Sequence, residues 1–399
     1  MKLRFLPASI RAVIPAVAYV LAPLLLAAGA YWWVAREQSE SVPVFRPIEL
    51  PADRERERYE ADVAMAESTL RNNPESPLAF QVLAKACLGL GTYLDSRNKP
   101  ESRAAAITVF LRSVEASGEA LKLEPKKASS IVVHAMCLTT ASIQLSNHGT
   151  GDEREQAIDF ARKAVQFAES ALAPWGDEEG ALKAACLSLE QLGNALIRRH
   201  AAGDFNEAQD ALQRSLSFAE RLVALKPGSD EALLNLVRVL HSLGDYFARR
   251  GLTGDQNFPP EYYERAVREC ETWLQKYFGN ATVRQAFADA LTKLGDFLAK
   301  RDAFGDRADA LPFYVRALEL RKKALEAQPD SRPETLGVAH AYRRIADTED
   351  ALGRADAARA HWLDCYLRLG DFERQNGRFS AEDQALYKKL RERFVEKKK

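Results

Sequence analysis

HSLGDYFARRG, residues 241–251, is answered fifty-one residues later by TKLGDFLAKRD, residues 292–302. The step of 51 extends in both directions from Leu243-Gly244-Asp245 and Leu294-Gly295-Asp296. Backward it meets Leu192-Gly193-Asn194, Ala141-Ser142-Ile143 and Leu90-Gly91-Thr92, and forward Ile345-Ala346-Asp347, so one register covers six copies. A second landmark keeps the same period: Pro74, Pro125, Pro227 and Pro329 are spaced by it or its double, with Gly176 (beside Pro174) and Phe278 (beside Gly279) at the intermediate positions. Proline disrupts a helix interior, so these residues mark a recurring break. A third row, Ser113, Ala164, Ser215, Ala266 and Ala317, is small each time.

Each period holds two stretches of about 20 residues with helical spacing of apolar positions and no alternating β-branched run, which predicts a helical hairpin. Glycine in a helix interior costs about 1 kcal/mol relative to alanine. The row Gly91, Gly193, Gly244 and Gly295 therefore needs an offsetting contact, and close approach of the small residues of the second helix is the expected one. No phosphate-binding glycine pattern surrounds these positions.

Leu-Gly followed by an aromatic (Tyr246, Phe297), the turn Gly203-Asp204-Phe205-Asn206-Glu207-Ala208, a small residue in the second helix and a closing proline resemble the tetratricopeptide repeat. The period departs from that family's 34 residues and is similar to its longer variants. The resemblance covers residues 53–376 and implies an all-α fold, a right-handed superhelical solenoid of helix hairpins. It also implies that the first helix of each hairpin lines a groove that takes peptides. Carried over by position, that groove receives Glu190, Asn194, Arg198, Arg238, His241, Asp245, Arg249, Asp289, Asp296, Lys300, His340, Arg343 and Asp347. Asn194 matches one position of the family's carboxylate clamp, but Glu190 stands where that clamp has a lysine. Within the helices, Asn194 with Arg198, Asp245 with Arg249 and Asp296 with Lys300 have the i, i+4 spacing of solvated helix pairs, the alternative to a groove lining.

The N-terminus reads differently. Residues 1–11 carry Lys2, Arg4 and Arg11, and residues 12–35 are an uncharged run. As a helix, that run spans roughly 36 Å, enough to cross a hydrocarbon core of about 30 Å. Tyr31, Trp32 and Trp33 suit the headgroup level, and the flanking charges predict a cytoplasmic N-terminus with the repeats exported, into the periplasm if the cell is bacterial. Cleavage of the segment as a signal peptide at Ala28-Gly29-Ala30 is the alternative to a transmembrane anchor. Residues 36–52, with three prolines, read as a tether; Asp53 is the expected N-cap of the first helix. Residues 377–399 read as a capping helix with a basic tail.

Composition limits the function. The chain has 399 residues, 47% hydrophobic, with 56 basic and 56 acidic side chains. This balance gives no overall field to attract nucleic acid, so none is expected as a partner. The five cysteines show no C-x-x-C pattern and read as small buried residues, and no catalytic motif is present. His241 and Asp245, at i and i+4 on one helical face, could seed a metal or acid–base site, against the more ordinary reading of a surface hydrogen bond. The sequence therefore predicts a membrane-anchored, non-enzymatic scaffold without cofactor, metal or small-molecule substrate, binding a peptide or protein partner. The alternative is a regulatory or sensor arm acting on a separate kinase or transport enzyme.

Overall fold

The computed structural model describes residues 52–395, apart from 98–99, 176–177, 253, 278–280, 376 and 378. The expected N-terminus, membrane span and nearly all of the tether lie outside the described residues, as do Gly176, Phe278, Gly279 and the terminal lysines. Fourteen α-helices and one short 3₁₀ turn are described, with no strand among the described residues. After α1 (Ala52–Asn72) come six hairpins: α2 (Pro77–Ser96) with α3 (Pro100–Leu123), α4 (Ala128–His148) with α5 (Gly151–Trp175), and α6 (Glu179–Arg199) with α7 (Asp204–Leu225). Then follow α8 (Asp230–Arg250) with α9 (Phe258–Lys276), α10 (Ala281–Arg301) with α11 (Asp306–Ala327), and α12 (Arg332–Ala351) with α13 (Ala355–Arg374). The last helix is α14 (Ala381–Phe394). The six first helices start at residues 77, 128, 179, 230, 281 and 332, a constant step of 51. The protein is an all-helical repeat solenoid.

The starts recur because the breaks and caps recur. Pro74, Pro125, Pro227 and Pro329 all lie in the turns that precede first helices. The residue just ahead of the helix then caps it. Ser76, Glu178, Ser229 and Ser331 accept from the backbone N–H groups of Ala79, Ala181, Ala232 and Glu334 at 3.3, 2.9, 3.2 and 3.4 Å. Each satisfies one of the orphan donors of a helix start.

Inside a hairpin, the row of small residues in the first helix sets how close the second can come. A Cβ on Gly91 would meet the Phe110 ring at 2.7 Å, on Gly193 the Leu212 side chain at 2.6 Å, on Gly244 the Tyr263 ring at 2.4 Å and on Gly295 the Tyr314 ring at 2.7 Å. All four glycines sit in the same environment. The expected partner was wrong, however. Each glycine faces a large side chain three residues before the small position of the second helix, not the small residue itself. The small row is needed elsewhere: Ser215 is fully buried and donates to the Cys186 carbonyl at 2.8 Å.

Neighbouring hairpins share a core that runs along the stack. One cluster extends from Val63 to Ala141, the next from Ile158 to Ala317 and a third from Tyr263 to Leu390. The last two overlap in sequence, and a smaller cluster of Ala135, Ala168, Ala184 and Ala185 bridges the region between the first two, as stacked repeats require. All five cysteines are free and buried within it. By length and composition α2 and α4 could cross a bilayer, but 50% and 61% of their apolar windows are buried among the hairpins.

Candidate functional site

The turn inside each of three hairpins is built on a motif repeated in step: Arg199 to Asp204, Arg250 to Asp255 and Arg301 to Asp306. Each arginine donates two hydrogen bonds to the aspartate five residues on, at 3.0 and 2.6 Å, 2.8 and 2.5 Å, and 2.7 and 2.6 Å. Each aspartate also accepts a backbone N–H of the turn, from Ala201, Leu252 and Ala303 at 2.7, 2.9 and 2.8 Å. The arginine bonds, more than any other influence, hold the three carboxyls below the usual carboxylate range. Left-handed backbone completes the turn at His200, Gly251 and Asp302, and again at Gly203, Gly254 and Gly305. The Gly203-Asp204 pair of the sequence recurs as Gly254-Asp255 and Gly305-Asp306, so the turn keeps the 51-residue stride.

The first helices lie side by side, and their polar residues bond across from one to the next. Asp245 on α8 accepts from Lys293 on α10 at 2.7 Å, and Asp296 on α10 accepts from Arg344 on α12 at 2.7 and 3.0 Å. Tyr263 and Tyr314, from the second helix of the respective hairpin, donate to the same carboxylates at 2.6 and 2.8 Å. Two Tyr–Asp–cation triads thus stand 51 residues apart, each joining three helices. One hairpin earlier, Asn194 replaces the aspartate and donates to Ser242 at 3.2 Å. The expected i, i+4 pairs are not formed: the carboxylates turn to the next hairpin instead.

Other residues assigned to the groove are occupied by structural contacts. Glu190 is buried, accepts from Arg238 and from Ser242, and has its carboxyl pushed up by burial against the pull of Arg238. This is packing between hairpins and leaves no room for a clamp at that position. Asp289 accepts from Arg321, and its carboxyl too is raised by burial. His340 and Arg343 bond to Asp383 and Glu382 of α14 at 2.7 and 2.8 Å, so the capping helix occupies them. Asp347 stays exposed, 3.7 Å from Arg343.

His241 does not make the surface hydrogen bond expected of it. Its Nε2 is sealed from solvent with no partner, and burial lowers its pKa to about 4, with Lys293 acting in the same direction. Asp245 beside it is committed to Tyr263 and Lys293. Among the described residues no three His, Cys, Asp or Glu side chains converge on a point.

Three assigned residues remain: Arg198, Arg249 and Lys300. All are exposed, at the ends of α6, α8 and α10, and no carboxylate among the described residues pairs with them. Near Lys300 a recess of about 400 Å³ opens between α10, α11 and α12, with Asp296, Arg344 and Asp347 in its wall. The balanced composition had suggested no attraction for polyanions. Net charge says nothing of such a local row.

No family model matches the sequence, and no curated protein matches it either. Among solved structures, the chain is similar to BtubC from P. vanneervenii, with a TM-score of 0.50 and 14% identity over 69% of this chain and 92% of that one. This likeness concerns the fold alone, a helical repeat of tetratricopeptide-like architecture. Two looser likenesses are too distant to carry any inference. The S. pombe nuclear import adaptor Nro1 gives a TM-score of 0.46 at 10% identity, covering 85% of this chain and 99% of that one. The human IFIT1 dimer with m7Gppp-AAAA gives 0.33 at 15% identity, covering 88% and 80%.

Proposed function

We propose that the chain is a non-enzymatic binding scaffold that holds a peptide segment or protein partner against the common face of its first helices. Residues 12–35 anchor it to a membrane and place the repeats outside the cytoplasm. The observation that carries this reading is the set of bonds from each first helix to the next, Glu190 with Arg238, Asp245 with Lys293 and Asp296 with Arg344. They set the helices in one rank, so that polar side chains from several hairpins share a single face. Extended faces of this kind gather many weak contacts, and tethering raises the effective concentration beside membrane-bound partners.

The test is site-specific photocrosslinking in cells that make the full-length chain. A photoreactive residue at Asp347, exposed on a first helix, is expected to give a discrete adduct with one partner. The same residue at Asp210 or Glu264, exposed on second helices, is expected to give none. Adducts from Asp210 or Glu264 and none from Asp347 would move the binding surface to the other side of the solenoid.

A further inference from the structure

We propose that the partner segment is an extended acidic peptide, and that Arg198, Arg249 and Lys300 grip its carboxylates one hairpin at a time. This rests on the binding face proposed above. Three first helices end in adjacent cations, Arg198-Arg199, Arg249-Arg250 and Lys300-Arg301. The second of each pair is locked into its turn by Asp204, Asp255 or Asp306. The first is exposed and has no carboxylate partner among the described residues. The two functions of the dipeptide are thus separated: one cation closes the hairpin, and its neighbour is left facing outward at the same stride.

The neighbouring acids do not neutralise this row. Asp245 and Asp296, four residues before Arg249 and Lys300, face Lys293 and Arg344 of the following hairpins. Burial lowers the pKa of Arg198, and the positive charges of Arg249 and Arg154 act in the same direction. An arriving anion relieves the repulsion among these cations.

The chemistry around the row favours a peptide over a nucleic acid. One helical turn away runs a second row that includes Asp245, Asp296 and Asp347. Asp347, exposed in that row, can accept a backbone N–H group of a peptide, which a polyphosphate lacks. Bases would need a repeated set of exposed rings to stack on. Tyr263 and Tyr314, which keep the stride, are buried, with their hydroxyls committed to Asp245 and Asp296, and the exposed Phe304 does not keep it, Ala202 and Thr253 standing at the equivalent positions. Packed helices lie about 8–10 Å apart and an extended chain advances about 3.3 Å per residue, so the matching peptide carries an acid at roughly every third position.

The experiment uses the full-length chain in detergent and a fluorescent synthetic peptide of about twelve residues with glutamate at every third position. Its comparators are the same peptide with glutamine for glutamate and an oligouridylate of similar length. The acidic peptide is expected to bind at least about tenfold more tightly than the glutamine form, and less tightly as salt rises. The triple variant R198Q/R249Q/K300Q is expected to weaken it roughly hundredfold, about fivefold for each exposed ion pair. Its melting temperature should change little, since among the described residues the three side chains make no hydrogen bond or ion pair. Equal binding of the two peptides, or full binding by the triple variant, overturns the proposal. So does preference for the oligouridylate with loss in the triple variant, which assigns the row to nucleic acid. If Asp347 still gives its photoadduct while the acidic peptide fails, the binding face stands and only the peptide chemistry falls; failure of both removes both.

Discussion

Gly244→Ser is expected to destabilise the protein by about 2 kcal/mol, although serine is the better helix former by roughly half a kcal/mol. The Tyr263 ring is 3% exposed and its hydroxyl is held by Asp245, so it has no free direction in which to yield to a Cβ that would sit 2.4 Å away. Tyr263→Ala alone should cost about 3–5 kcal/mol through the cavity it leaves. The two together should cost less than their sum by about 1.5 kcal/mol, because contacting residues couple. The chain already contains such a combination. In the second hairpin Ser142 occupies the glycine position and Ala161 the ring position; in the sixth these are Ala346 and Cys365. Where the first residue gains atoms, the second loses them. Denaturant midpoints of the four proteins give the coupling directly, and strict additivity would mean that Gly244 and Tyr263 do not face each other.

Asp255→Ala is expected to cost about 3 kcal/mol, and far more than Arg265→Ala, although each breaks an ion pair. The Asp255 side chain is 4% exposed and Arg250 is 19% exposed, whereas Arg265 and its partner Glu220 are 34% and 45% exposed. Removing one partner of a covered pair strands the other. Here it also frees the Leu252 N–H and disturbs Arg250, which donates to Gln209 and the Tyr246 hydroxyl as well. The exposed pair contributes no more than about 1 kcal/mol. The sign of the pH dependence follows from the depressed carboxyls of Asp204, Asp255 and Asp306. Their stabilisation is complete above the unfolded value of about 4 and is lost as pH falls below it toward the folded values. Thermal melts should therefore show Asp255→Ala losing less stability than the wild type between neutral pH and pH 3. Parallel curves would show that Asp255 is not held in this way.

The stride of 51 could be read from the sequence because three landmarks kept it independently: the Leu-Gly row, the prolines and the small row. Which side chain each glycine faces was harder to see. Small positions in both helices suggested small packed on small. The informative signal was the inverse size relation across nineteen residues, Gly with Phe110, Leu212, Tyr263 and Tyr314, and Ser142 with Ala161. The Arg-to-Asp turn closure was also present in triplicate, but only its first Gly-Asp pair drew attention, since Gln256 and Arg307 replace the aromatic of Phe205. The polar face was misread for a physical reason. Local spacing pairs Asp245 with Arg249, whereas in the stack Lys293, 48 residues away in sequence, is nearer to it. No local pattern reports which cation of Arg249-Arg250 closes the turn, nor that α14 lies against His340 and Arg343.

Zero-length carbodiimide crosslinking of the full-length chain, read by mass spectrometry, tests the stacked stride most directly, because it joins only lysines and carboxylates already in contact. The stack predicts links between Lys183 and Glu231 and between Lys293 and Asp245, across successive hairpins, and between Lys226 and Glu179 within one hairpin. Links confined to neighbours along single helices, or joining hairpins that are not adjacent, would contradict it.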